Sequence, residues 1–184
     1  EDLQKIARDE EIHESRLIEL IDEEGLNYMS SVVLGLNDAL VEFTGALAGY
    51  TFALQHAKLV ALTGAITGIA AALSMAASEY PSTRTENNVH KNALKAAVYT
   101  GIAYVITVVV LILPFVLLSN VYWGLGVCLF GALVIIAIFN YYYSIVKTES
   151  FRHRFTEMAI ISIGIAAISF LIGYALRVFT GIEL

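Results

Sequence analysis

The chain has 184 residues, 58% of them hydrophobic and only 15% charged, with a mean hydropathy of +0.71 and a formal net charge of −6. A soluble domain carries near a quarter charged residues, so this composition excludes a water-soluble globular fold and points to one integral membrane domain. The charge is local: residues 1–24 hold ten acids and three bases, and residues 25–184 hold seven acids and eight bases, which argues against nucleic acid as a partner.

Residues 1–25 are expected to form an acidic, amphipathic helix on the cytoplasmic side, ended by Gly25. Leu3, Ile6, Glu10, His13, Leu17, Leu20 and Glu24 recur at steps of three and four, the spacing of one buried seam. Glu10 and His13 fall in that seam. Glu-x-x-His directed into a bundle is half of a di-iron carboxylate site, although an acidic helix also produces the pattern by chance. A complete site needs ligands from three more helices, so a di-iron centre is expected only in a longer chain. The N-terminus is polar and acidic, unlike a cleavable signal peptide, and a chain beginning at Glu1 is expected to be a fragment.

Residues 26–184 are expected to form one all-α membrane domain with five transmembrane helices. The first apolar run covers residues 29–53, and four more read as 58–80, 94–118, 121–146 and 155–179, each long enough to cross the ~30 Å hydrocarbon core. Five spans place Lys5, Arg8, Arg16, Arg84, Lys91, Lys95, Lys147, Arg152 and Arg154 on one side, against Lys58 and Arg177 on the other. That bias puts the N-terminus in the cytoplasm. Gly45 with Gly49 and Gly64 with Gly68, continued by Ala72 and Ala76, are small-residue stripes that let helices approach closely. They are expected to pack a homodimer through spans one and two. Pro81 is expected to close the second span. Tyr122 and Trp123 at one boundary and Tyr141, Tyr142 and Tyr143 at the other read as interfacial belts. The lone Cys128 supports neither a disulfide nor a thiolate cluster.

The chemistry concentrates in the first two spans. Asp38 and Glu42 lie at i and i+4 on one face of an otherwise apolar helix. Each costs on the order of 3 kcal/mol near a bilayer centre, and no Lys or Arg lies deep enough in a span to neutralise them. They must be protonated, solvated in a cavity, or bound to a cation. A polar pair merely tolerated against neighbouring helices is the plainer alternative. Met75 and Glu79 are again i and i+4, near the basic end of span two. An antiparallel hairpin turning near residues 55–58 brings Asp38 and Met75 to similar depths, with Glu79 nearer the mouth and Glu42 deeper. Asn37, Ser74 and, in span four, Asn140 are further candidates for the path, with interhelical hydrogen bonding as Asn140's ordinary role. Carboxylates with one thioether suit a borderline first-row ion such as Fe²⁺ or Mn²⁺, and equally Co²⁺ or Zn²⁺.

Asn37-Asp38-Ala39-Leu40 together with Ala72-Leu73-Ser74-Met75-Ala76-Ala77-Ser78-Glu79-Tyr80 resembles the vacuolar iron transporter family, over residues 28–184. The resemblance implies a dimeric Fe²⁺/Mn²⁺ exporter driven by proton exchange, not an enzyme. It further implies that Asp38 and Met75 line the ion path. Two features depart from the family. Ala39 stands where the family has Gly, and the long Glu-rich insert of plant and protist members is replaced by residues 81–92, with the single acid Glu86. The segment around Glu10 and His13 resembles the last helix of a rubrerythrin-like or ferritin-like domain, which a membrane-bound subgroup fuses to this transporter. The membrane implied is a prokaryotic plasma membrane, with an organelle membrane as the alternative. Two other activities are carried as alternatives: a membrane-tethered ferroxidase, and a metal sensor or scaffold without flux.

Overall fold

A computed structural model describes residues 23–85, 92–147 and 150–181. Glu10 and His13 lie outside the described residues. Every described element is a helix, and five segments are long and apolar enough to cross a membrane. Span one is composite: α1 (Glu23–Asp38), a π-helical turn (Ala39–Phe43) and α2 (Thr44–Leu54). The others are α3 (Ala57–Thr85), α4 (Ala93–Leu117), α5 (Val121–Lys147) and α6 (Phe151–Thr180). The all-helical, five-span expectation therefore holds.

Helix ends follow local chemistry. Gln55 ends α2 in the left-handed conformation (φ 51°), its N–H donating to the Thr51 carbonyl, so a two-residue link turns the chain into α3. Asn92 caps α4, its Oδ1 accepting from the N–H groups of Leu94 and Lys95 at 2.9 and 3.2 Å. Asn120 does the same for α5 through Tyr122 and Trp123. Two expected breaks are absent. Gly25 lies within α1, where glycine costs only about 1 kcal/mol relative to alanine. α3 runs through Pro81 to Thr85. Proline there leaves the Ala77 carbonyl without its helical donor, and Ala77, Ser78 and Pro81 are exposed at the helix's basic end, where water meets that need.

Span one is the hub. α1 packs on α4, α2 packs on α6, and α3 packs chiefly on α4. Gly35 sits so close to α4 that an added Cβ would lie 2.6 Å from the Thr100 carbonyl oxygen. The glycine stripes are filled within the chain. Gly45 and Gly49 receive Ile165 and Ser169 of α6, while Gly64 and Gly68 receive Leu47, Val108 and Phe43. These faces are thus spent on intramolecular packing, not left open for a second copy. Cys128 is buried, whereas Tyr122, Trp123, Tyr141 and Tyr142 are exposed at the two ends, as interfacial aromatics should be.

An odd number of spans separates the α4–α5 link from the α5–α6 link. Single Ser119→Cys and Ser150→Cys variants, both at exposed positions, are expected to react with an impermeant thiol reagent from opposite sides of sealed vesicles. Cys128 is 1% exposed and contributes little background. Reaction of both from one side would refute the span count.

Candidate functional site

The π-helical turn lies where the two carboxylates are. Asp38 is its N-terminal flank and Glu42 is within it, about 15 Å along the helix from Tyr28, where span one begins. Such turns, with i→i+5 bonding, occur frequently at functional sites. Asp38 and Glu42, four residues apart across this turn, are close enough to interact with each other. Asp38 is half-buried and Glu42 is exposed on the surface of the chain.

The widened turn needs outside support. Ser162 of α6 donates from Oγ to the Leu40 carbonyl at 2.7 Å. That oxygen is the one a helical threonine at 44 would ordinarily take, as Thr51 takes the Leu47 carbonyl and Thr107 that of Ala103. Thr44 Oγ1 is accordingly left buried without a partner. Unsatisfied main-chain groups cost several kcal/mol in lipid. Ser162→Ala is therefore expected to lower stability by about 1–2 kcal/mol, read as a reduced thermal midpoint in detergent. An unchanged midpoint would mean the π turn holds itself.

A residue the sequence reading missed lies near this pair. Tyr104 of α4 is fully buried, its hydroxyl has no hydrogen-bond partner, and it lies within electrostatic reach of both Asp38 and Glu42. The register explains its position. α1 and α4 run parallel, with Ser31 and Gly35 against Thr100, so one turn further on Tyr104 meets residues 38–39. A single tyrosine inside an apolar run carries no sequence signal of this kind; the tertiary register supplies it.

Glu79 sits apart from the pair. It is 6% exposed, and its Oε1 accepts from Ser31 Oγ at 2.6 Å and Thr83 Oγ1 at 3.2 Å. Ser31 in turn accepts at its carbonyl from Thr100 Oγ1 at 3.0 Å. Glu79 thus closes a polar latch joining α1, α3 and α4, in place of the open mouth expected of it. Opposing contacts of Glu79 with Ser31 and of Gly68 with Phe43 set the register of α3 against span one. Met75 then stands about one turn nearer the basic end than Asp38, half-buried against the apolar core. Ser74 is exposed on the outer face of α3, its carbonyl accepting from Ser78 Oγ.

Asn37 and Asn140 do come together. They line a cavity of about 410 Å³ between α1, α5 and α6, with His153, Arg154, Glu157 and Met158 among the other walls. The cavity's walls include Asn37, the sequence neighbour of Asp38, but neither carboxylate of the pair itself. Among the described residues no three His, Cys, Asp or Glu side chains converge on one point.

These features define an all-helical integral membrane protein with two neighbouring carboxyl groups in its first membrane-length span. The model of the VIT family matches residues 29–94, a stretch that spans span one, α3 and the start of α4 and contains Asn37, Asp38, Glu42, Ser74, Met75 and Glu79. Over that stretch the chain is similar to the vacuolar iron transporter family named above from its motifs, which supports membrane metal-ion transport as the class of activity. No curated protein matches the chain.

Proposed function

We propose that this protein exports Fe²⁺ or Mn²⁺ from the cytosol in exchange for protons, with Asp38 and Glu42 as the shared binding site for both. The observation that carries this reading is the placement of both carboxyl groups, four residues apart, in one membrane-length apolar span. Two neighbouring carboxyl groups can share a proton, and a divalent cation claims the same oxygens only when that proton leaves. Site occupancy then alternates between proton and metal, which is the basis of exchange.

Three finer features belong to the same reading. The end bearing Arg84, Lys95, Arg152 and Arg154 faces the cytosol. Glu42 is exposed at a depth where a lipid-facing carboxylate is costly, which favours a homodimer whose second copy covers this face. Glu10 and His13, outside the described residues, serve metal capture in the manner of a ferritin-like half-site.

The test is reconstitution into sealed vesicles holding a metal-sensitive and a pH-sensitive dye. Metal entry accompanied by opposite proton movement, reversing with the imposed pH gradient, is the expected result. Metal entry at the rate of protein-free vesicles, under gradients of either sign, would refute it.

A further inference from the structure

The cavity between α1, α5 and α6 contains donors that the carboxyl pair does not use. Its walls come from two helices outside the family match, α5 and α6, together with Asn37. Its volume of about 410 Å³ has room for about a dozen waters at their share of liquid volume. That accommodates an ion with its octahedral water shell.

Asn140 is the second, independent observation. It is 3% exposed, and its Nδ2 donates to the Ile136 carbonyl at 2.8 Å. That bond fixes the amide's orientation, so Oδ1, which accepts no hydrogen bond among the described residues, is the atom offered to the cavity. Thr44 Oγ1 and Tyr104 Oη are the buried side-chain atoms without a partner among the described residues, so the Asn140 oxygen is reached from the cavity, where water or an ion can meet it.

The remaining donors have a consistent chemistry. His153 and Glu157 are i and i+4 on α6 and share one face, presenting an imidazole and a carboxylate. Met158 adds a thioether beside them. Nitrogen, oxygen and soft sulfur together suit divalent first-row ions over Mg²⁺ or Ca²⁺. The site is also built to be weak. Only two strong ligands face it, and Arg154, whose guanidinium lies 4.2 Å over the Tyr143 ring, sets a positive charge in its wall. A site on a conduction route must release what it binds.

We propose that this cavity is a vestibule that takes a hydrated divalent first-row metal ion at His153 and Glu157 and passes it along the Asn140 and Asn37 amide oxygens to Asp38. The proposal rests on the transport reading for its destination, but the binding site itself does not.

Mn²⁺ is the probe, because its electron paramagnetic resonance signal reports the free ion directly. In detergent, the wild-type chain is expected to bind Mn²⁺ in the vestibule, and Asp38→Asn is expected to retain that ion. The double variant His153→Gln with Glu157→Gln, at two exposed positions, is expected to lose it while keeping its thermal midpoint. In vesicles the double variant should need roughly ten-fold more Mn²⁺ for half-maximal flux, the lower end of what losing a metal-orienting group costs, with the shortfall closing at saturating Mn²⁺. Unchanged Mn²⁺ binding and unchanged concentration dependence in the double variant would overturn the vestibule. So would binding of inorganic phosphate in place of Mn²⁺. Mn²⁺ binding that depends on His153 and Glu157 in a protein without flux would instead leave the vestibule standing and remove the transport reading.

Discussion

Asp38→Asn is expected to bring metal flux down to the rate of protein-free vesicles and to abolish metal-driven proton movement with it. Asparagine keeps the volume, and its amide can still donate to Glu42, so the contact between residues 38 and 42 and the π turn around it survive. What disappears is one anionic oxygen donor and the titratable proton. Losing one of the two anionic oxygen donors should lower ion affinity by at least about ten-fold, the lower end of what losing a metal-orienting group costs. Proton exchange should vanish even where residual metal leaks, since amide 38 cannot take up the proton that the ion displaces. The measurement is simultaneous metal and pH fluorescence in one vesicle preparation under gradients of both signs. Wild-type rates with coupling intact would refute a role for Asp38 in the mechanism.

The parts of this structure that depend on local composition were readable from the sequence. The five spans, the tight hairpin at Gln55 and the exposed aromatic belts follow from long apolar runs broken by polar links. The i, i+4 spacing of Asp38 and Glu42 also survives, because it needs only one helix. What escaped the sequence depends on partners distant in the chain. The π turn is supported by Ser162, 122 residues from Leu40, and nothing in the Ala39–Phe43 segment announces it. Position near the basic end of span two places Glu79 toward the mouth. Its burial is decided by Ser31 on another helix. Asn37 and Asn140 were named as path residues, yet the cavity that unites them needs His153 and Glu157 from a helix in which no site residue was sought.

The glycine stripes are the clearest case of a motif that fixes a property and leaves its partner open. Gly45 and Gly49 signal close approach, and close approach is what they make, but to α6 of the same chain. Gly173→Ala is expected to be among the most disruptive single-methyl additions here. The new Cβ would fall on the Gly49 carbonyl oxygen, with the Gly49 carbonyl carbon and Cα at 3.1 and 3.2 Å. All three are backbone atoms, so no side chain can rotate away and the two helices must separate. Overpacking of this kind costs about 1–3 kcal/mol. Gly164→Ala on the same helix is the matched control. Nothing lies within 4 Å of its added methyl, and alanine is the better helix former by about 0.8–1 kcal/mol. The thermal midpoint in detergent should therefore fall for the first variant and hold or rise for the second. Flux should follow stability, because α6 carries Ser162 to the Leu40 carbonyl. Pushing α6 off span one withdraws the hydroxyl that holds the π turn open beneath Asp38 and Glu42. Equal midpoints for Gly173→Ala and Gly164→Ala would show that the helices are not in contact at Gly49, and the support described for the carboxyl pair would fail with that contact.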